Sequence, residues 1–104
     1  MHASISRFTG DPDDLTRRVD ELFQHVPADN VRLLLIVRHD DGITMIDTCP
    51  NRDAYERFRA SGWIERAFAD VGLPAPSVTD HPVHLAVVDG AVISGRDIGL
   101  AATA

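Results

Sequence analysis

The amino-acid sequence predicts an α+β domain in which strands and helices follow in the order strand, helix, strand, strand, helix, strand. Three observations predict this class. Apolar residues recur at helical spacing after residue 12 and again after residue 51, which indicates two amphipathic helical regions. The segments around them are apolar or alternate between apolar and polar residues, as strands do. Asp-Gly pairs at residues 41–42 and 89–90 are turn signals that join neighbouring strands into hairpins.

The first strand is predicted where the sequence HASISRF alternates. Ala3, Ile5 and Arg7 share one face of this strand, because side chains two residues apart point to the same side. A rather polar set shares the other face: His2, Ser4, Ser6 and Phe8.

A helix is predicted directly after this strand. Asp11 is a natural N-cap, Pro12 fits the first helical position, and Pro27 ends the helix. Two pairs of oppositely charged residues, four positions apart, are expected on its outer face: Asp13 with Arg17 and Asp14 with Arg18. Five apolar residues form its inner stripe: Leu15, Val19, Leu22, Phe23 and Val26.

The next segment predicts a hairpin. Residues 30–39 read NVRLLLIVRH, a strand that is apolar on both faces in its middle, so both faces are expected to be covered. The sequence DDG turns the chain, and ITMIDTC returns as the third strand. Four residues of this third strand share one face: Ile43, Met45, Asp47 and Cys49.

The second helical region is predicted over residues 51–71. Asn51 is its expected N-cap, and Ser61 with Gly62 is expected to interrupt or kink it. A fourth strand is predicted over residues 83–88, followed by an Asp-Gly hairpin turn into the short segment AVIS. The tail GRDIGLAATA is weakly patterned, and its end is expected to fray.

This order of elements is that of the split βαβ, or ferredoxin-like, arrangement, an antiparallel sheet with its helices on one face. The other face would meet water in a monomer, yet the second strand and, less strongly, the third are apolar on both faces. Twofold dimers are the commonest oligomers, so the sequence predicts a homodimer packed sheet against sheet. An apolar tail folded back over the sheet is the competing cover.

Composition excludes several classes of protein. The 104 residues suit a single domain, 1–104, with a core of about residues 1–88 and a C-terminal hairpin and tail at 89–104. The net charge is -6 and the ten basic residues are scattered, which excludes a basic surface for nucleic acid or membrane. The sequence has neither signal-peptide features nor a membrane span, and its only cysteine is Cys49. A cytoplasmic protein is therefore expected.

Three segments resemble the antibiotic biosynthesis monooxygenase-like family: FTGDPDDL, the hairpin LLLIVRHDDGITMI and the junction TCPNRDAYERFRAS. The resemblance covers about residues 1–88 and implies a dimeric α+β barrel with a cavity for an aromatic small molecule. It also implies oxidation of quinol- or anthrone-like substrates without metal or flavin. The chain departs from the family pattern in two places. VPADN stands where members often have a Pro-Gly step, and Cys49 stands where they often have a tryptophan.

Two residues are the catalytic candidates, His84 and Asp47. His84 lies in an apolar stretch and titrates near neutrality, so it suits general acid–base catalysis. The alternative is a histidine at the rim of the sheet, bonded to a backbone carbonyl. Asp47 is a carboxylate inside an apolar strand and needs a partner. It is either an acid of the pocket or the structural partner of an arginine such as Arg38.

The binding candidates are Tyr55, Trp63, Arg38 and Cys49. Tyr55 and Trp63 can form an aromatic wall for a flat ligand, although their helical spacing also suits the core or a dimer interface. Three arginines are predicted on strands, Arg7, Arg32 and Arg38, and one that faced the cavity would stabilise an enolate or phenolate, whereas solvent-edge positions are the alternative. Cys49 fits a small buried hydrophobe, and a nucleophile only if a histidine lies beside it.

These observations predict a small-molecule-binding dimeric α+β barrel that resembles cofactor-independent monooxygenases acting on aromatic or polyketide-like substrates. A non-catalytic binding or accessory protein is the alternative, as is a polyketide cyclase or haem-degrading relative on the same fold. The expected partners are a second copy of the chain and an aromatic small molecule. No cofactor is expected. No metal site is predicted either, because His81 and His84 would point to opposite faces of an extended chain.

Overall fold

The computed structural model describes residues 1–26 and 32–94. Within them the chain forms three helices and six strands. The predicted end of the first helix at Pro27, the predicted start of the second strand at residue 30 and the tail from residue 95 lie outside the described residues. In chain order the elements are β1 (His2–Thr9), α1 (Pro12–His25), β2 (Leu34–His39), β3 (Gly42–Cys49), α2 (Arg52–Ala60), α3 (Trp63–Asp70), β4 (Ser77–Pro82), β5 (Leu85–Val88) and β6 (Ala91–Ser94).

The first four strands form one antiparallel sheet in the order β2-β3-β1-β4. The described residues are therefore α+β, as predicted, and this strand order is compatible with the ferredoxin-like arrangement. In the register of β1 and β3, Ser4 lies opposite Asp47 and His2 lies opposite Cys49. These four residues share the sheet face that the helices cover, because Phe8 on the same face is buried in the core.

The start of α1 follows the sequence prediction. The Asp11 side chain accepts a hydrogen bond from the backbone N–H of Asp13 at 3.1 Å, and Pro12 occupies the first turn. Arg18 pairs with Asp14 at 2.9 Å, as expected. The other predicted pair does not form. Asp13 pairs instead with Arg38 on β2, and Arg17 pairs with Asp14. All of these groups are at least partly exposed, so the exchange of ion-pair partners has little effect on the stability of the fold.

The main core lies between α1, α3 and the half of the sheet that contains Phe8 and Ile43. Ile43 is completely buried, and the rings of Phe8 and Phe68 meet edge to face at 5.2 Å. Gly42 ends this half of the sheet. A β-carbon at position 42 would lie 1.9 Å from the carbonyl oxygen of Phe8, so only glycine allows the two strands to approach this closely. The core residues are Phe8, Leu15, Val19, Leu22, Ile43, Met45, Phe68, Val71 and Leu73.

The interruption predicted at Ser61 and Gly62 is confirmed. α2 ends at Ala60, Gly62 has a φ of 69°, and α3 begins at Trp63. The cap predicted for α2 is also confirmed, because the Asn51 side chain accepts a hydrogen bond from the backbone N–H of Ala54 at 2.8 Å.

The fourth strand of the sheet differs from the prediction. It is β4, which precedes the predicted segment 83–88, and it pairs with β1. Residues 85–88 form β5, which pairs with β6 in a separate two-stranded sheet. The turn explains this pairing. Asp89 and Gly90 have φ values of 55° and 79°, the backbone that a tight two-residue hairpin requires, so β5 turns back onto β6.

Candidate functional site

The helix-facing side of the sheet changes character along β1. Near Phe8 it is apolar and filled by the core, whereas near the chain start it carries His2, Ser4 and Ser6, all of which are buried. The rather polar face of β1 is thus the face that the helices cover. β3 brings Asp47 and Cys49 beside this polar end, directly opposite Ser4 and His2. Side chains at directly opposite positions of an antiparallel pair are close neighbours.

An outer cavity of about 810 Å³ opens between the end of β3 and helices α2 and α3. Its aromatic side is formed by Phe58 and Trp63, whose ring centroids are 5.9 Å apart. Both rings are more than one-third exposed, so their faces are accessible to a ligand. Its lining residues are Val26, Arg32, Asp47, Thr48, Cys49, Pro50, Ala54, Phe58, Ser61, Trp63 and Arg66.

A smaller inner cavity of about 190 Å³ lies between the polar end of the sheet and the same two helices. It shares Asp47, Cys49 and Phe58 with the outer cavity. Its other lining residues include two serines of β1, a tyrosine and an arginine of α2, and a glutamate of α3: Ser4, Ser6, Tyr55, Arg59 and Glu65. An apolar cavity wall with a few convergent polar groups is the usual form of a small-molecule site.

Asp47 lies where the two cavities meet. Burial raises the pKa of its carboxyl group above the ordinary value, and a hydrogen bond from its own backbone N–H offsets only part of this rise. Among the described residues no other group forms a hydrogen bond or ion pair with the carboxylate. A half-buried carboxylate without a cation is destabilised in its charged form, so Asp47 is a stronger base than a solvated aspartate.

Cys49 has the opposite chemical character. Burial, and then the charge of Asp47, raises the pKa of its thiol, so the thiolate is disfavoured. His2 is its cross-strand neighbour, but the Nε2 atom of His2 pairs with Asp80 at 2.6 Å. A thiol with a raised pKa is a poor nucleophile. Cys49 is partly buried and lines both cavities, and the raised pKa of its thiol argues against the nucleophile considered from the sequence.

Tyr55 lines the inner cavity and is only 7% exposed. Its ring stacks in a tilted geometry on His2 at 5.1 Å, and His2 is fixed by Asp80. Its hydroxyl oxygen accepts a hydrogen bond from Nη1 of Arg59 at 3.1 Å. Arg59 also lies 3.7 Å from a carboxylate oxygen of Glu65. This chain of contacts holds the phenol at the wall of the inner cavity.

Two predicted site residues lie elsewhere. His84 is exposed in the turn between β4 and β5 and lines neither the outer nor the inner cavity. Arg38 is exposed at the end of β2, where it pairs with Asp13 of α1 instead of Asp47. Arg32, two residues before β2 begins, does line the outer cavity together with Asp47.

A third cavity of about 620 Å³ lies between α1 and α3 and shares Trp63 and Arg66 with the outer cavity. Its charged lining side chains, such as His25 and Asp70, are all exposed. It contains no buried titratable group, so it offers less chemistry than the cavities around Asp47.

In segments 1–26 and 32–94 no three side chains of His, Cys, Asp or Glu form a group that could hold a metal ion. No helix in these segments is long and apolar enough to cross a lipid bilayer.

Comparison of the chain with protein-family models, with curated proteins and with solved structures finds no match. The described residues define the class, an α+β protein with a four-stranded antiparallel sheet and two adjoining cavities whose mainly apolar walls carry a few polar groups.

Proposed function

We propose that this chain binds a flat aromatic small molecule in the outer and inner cavities and that Asp47 accepts a proton from it. The observation that carries this proposal is the position of Asp47, a half-buried carboxylate at the junction of both cavities that pairs with no arginine or histidine of the described residues. An unpaired buried charge costs stability, so its presence beside a cavity favours a functional role over a structural one.

The outer cavity suits the ring of such a ligand. Its volume of about 810 Å³ falls in the range of small-molecule sites. Phe58 and Trp63 offer two aromatic surfaces on one side, and Asp47 lies on the wall that leads into the inner cavity. A fused-ring ligand stacked on these surfaces would present an edge to the carboxylate.

The reaction that fits this arrangement is cofactor-independent oxygenation of a quinol- or anthrone-like substrate, as the resemblance to antibiotic biosynthesis monooxygenases suggests. Asp47 takes the acidic proton, and the electron-rich anion then reacts with dioxygen. For anthrone the balance is anthrone plus dioxygen giving anthraquinone plus water, so the substrate supplies all the electrons. A carboxylate with a raised pKa is a suitable general base for this step.

The test uses the purified protein with anthrone in air-saturated buffer, without added metal or flavin. The proposal predicts oxygen uptake and anthraquinone formation above the rate of the buffer alone, and His84→Ala provides a direct comparison with Asp47→Asn. If His84→Ala abolishes turnover and Asp47→Asn does not, the catalytic role belongs to His84. If anthrone binds but is not oxidised, the chain is a binding protein or a cyclase of related substrates. A haem-degrading relative would have to hold iron without histidine, because the described lining of the two cavities contains none.

The proposed assembly is a homodimer formed through the sheet face opposite the helices, here called the open face. Leu35 and Val37 on this face are 50% and 45% exposed. The β5–β6 hairpin adds a second apolar surface, where Leu85, Val87 and Val92 are 52%, 61% and 62% exposed. Two exposed apolar surfaces on one small chain are typical of an interface. A second copy is the proposed cover, because a twofold axis lets each chain bury the same surfaces.

Leu35→Glu is expected to convert the dimer into a folded monomer, because each interface would then bury a charge without a partner. Native mass spectrometry measures the subunit number, and circular dichroism checks the fold. Arg57→Glu on the exposed side of α2 is the matched control and is expected to remain dimeric. A monomeric wild-type protein, or a Leu35→Glu variant that stays dimeric, would contradict this interface.

A further inference from the structure

We infer that the inner cavity binds an oxygen substituent on the ring of the ligand, which is a hydroxyl, keto or anionic oxygen. The Tyr55 hydroxyl, oriented and polarised by Arg59, donates a hydrogen bond to this oxygen. This inference rests on the proposed function, because it assigns the part of the same ligand that enters the inner cavity. The ligand class is thereby narrowed to aromatic molecules with an oxygen substituent on the same ring that loses the proton to Asp47.

The hydrogen bond between Arg59 and Tyr55 sets the direction of the phenol. Nη1 of Arg59 donates to the Tyr55 oxygen at 3.1 Å, so one acceptor position of that oxygen is occupied. The proton of the phenol remains available, since no acceptor for it lies within hydrogen-bond distance among the described residues. A buried hydroxyl with an unused proton, on the wall of a cavity, is a donor for a ligand.

Arg59 strengthens this donor. The guanidinium that donates to the phenol oxygen polarises the O–H bond, and hydrogen bonds that involve charged groups are stronger than neutral ones. Glu65 lies 3.7 Å from Nε of Arg59 and offsets part of the positive charge. This wall of the inner cavity therefore offers a strong hydrogen-bond donor without a large positive charge. Such a donor suits a ligand oxygen that becomes negative only after the ligand has given its proton to Asp47.

Two serines support the same assignment. Ser4 and Ser6 are 9% and 8% exposed, both line the inner cavity, and neither hydroxyl forms a hydrogen bond with the described residues. Among the described residues no fully buried side-chain polar atom lacks a hydrogen-bond partner, so these two hydroxyls are not sealed off and can donate to a ligand in the cavity. Ser4 lies directly opposite Asp47 in the sheet. A ligand oxygen in this cavity would therefore lie near the serine hydroxyls, which can donate to it, and near the Asp47 carboxylate.

The size of the cavity limits what can enter. About 190 Å³ is enough for a single six-membered ring with its oxygen substituent, because a cavity of about 150 Å³ binds benzene. The remainder of the ligand must lie in the outer cavity, against Phe58 and Trp63.

The experiment measures binding of two probes of nearly equal size, 2-naphthol and 2-methylnaphthalene, by fluorescence titration of the full-length protein. Tyr55→Phe and Arg59→Gln are each expected to weaken 2-naphthol binding about tenfold and to change 2-methylnaphthalene binding less than about twofold. Arg57→Gln, on the same helix but outside both cavities, is the matched control and is expected to bind both probes as the wild type does.

The outcomes separate this inference from the proposed function. If the wild type binds both probes and neither variant weakens 2-naphthol binding selectively, the inferred contact with the ligand oxygen is wrong. The proposed binding of an aromatic ring in the outer cavity would still hold. If neither probe binds the wild type, both are wrong. A Tyr55→Phe variant that loses its fold leaves Arg59→Gln as the decisive variant, because the Arg59 side chain is 41% exposed and its replacement leaves the core intact. An equal loss in Arg57→Gln would also overturn the inference.

Discussion

Replacing Asp47 with asparagine is expected to reduce anthrone turnover by about 100-fold or more, because a positioned general base typically contributes that much to the rate. Asparagine keeps the size of the side chain and removes its ability to accept the proton. The initial rate of oxygen uptake measures the effect. Asp20→Asn is the matched control, since Asp20 is an exposed aspartate of α1 that lines none of the described cavities, and it is expected to leave the rate unchanged.

The same substitution is expected to leave the free energy of unfolding at neutral pH unchanged or higher. Burial raises the pKa of Asp47 in the folded state, so the folded protein binds this proton more tightly than the unfolded chain does. The free energy of unfolding therefore falls as the pH rises from the Asp47 pKa of the unfolded chain to that of the folded protein. Above the folded-state pKa, the whole of this loss of stability remains. Asparagine avoids that cost, and the difference disappears at acid pH, where Asp47 is protonated in both states.

These opposite effects on rate and stability distinguish a functional carboxylate from a structural one. Urea unfolding at neutral and at acid pH measures the stability of both proteins. An Asp47→Asn variant that loses turnover because it unfolds more easily would indicate a structural role, and the proposed role as general base would then lose its main support.

Replacing Phe8 with alanine is expected to cost about 3–5 kcal/mol of stability, the usual range for a buried phenylalanine. Phe8 is 1% exposed and meets Phe68 edge to face at 5.2 Å. Alanine would leave a cavity in the centre of the core and remove the aromatic contact. Phe68 also lines the inner cavity, so the variant is expected to bind 2-naphthol more weakly at temperatures where it is still folded.

Urea unfolding followed by circular dichroism measures this loss of stability. Val37→Ala on the open face is the control, and its effect on the fold of one chain is expected to be small because Val37 is 45% exposed. A loss of less than about 1 kcal/mol for Phe8→Ala would mean that the main core does not lie where β1 meets α3.

Much of the fold was predictable because local signals and tertiary packing agree. Asp11 and Asn51 cap helices as their side chains suggest, and the Asp-Gly turns lie in the two hairpins. β4 was missed because its sequence, SVTDHP, has one apolar residue apart from the proline and lacks the pattern of a buried strand. The apolar segment 85–88 was predicted to be the fourth strand of the sheet instead, but a tight turn pairs it with β6.

The candidate site was only partly predictable for a related reason. Alternation along β3 placed Asp47 and Cys49 on one face, and the structure shows them on the wall of the same two cavities. Alternation cannot tell which face of β1 the helices cover, so Ser4 and Ser6 received no role. Arg59 was missed because an arginine on an exposed helix turn has no sequence signal that distinguishes it from a solvated charge.

The central claim is that Asp47 is a base with a raised pKa at a ligand site. Carbon-13 NMR titration of the aspartate side chains, with and without 2-naphthol, tests it most directly, and Asp47→Asn assigns the signal. The account predicts that the Asp47 carboxyl titrates at higher pH than the solvated aspartates and that 2-naphthol changes its titration. An ordinary pKa that does not respond to 2-naphthol would contradict the proposed site and its chemistry.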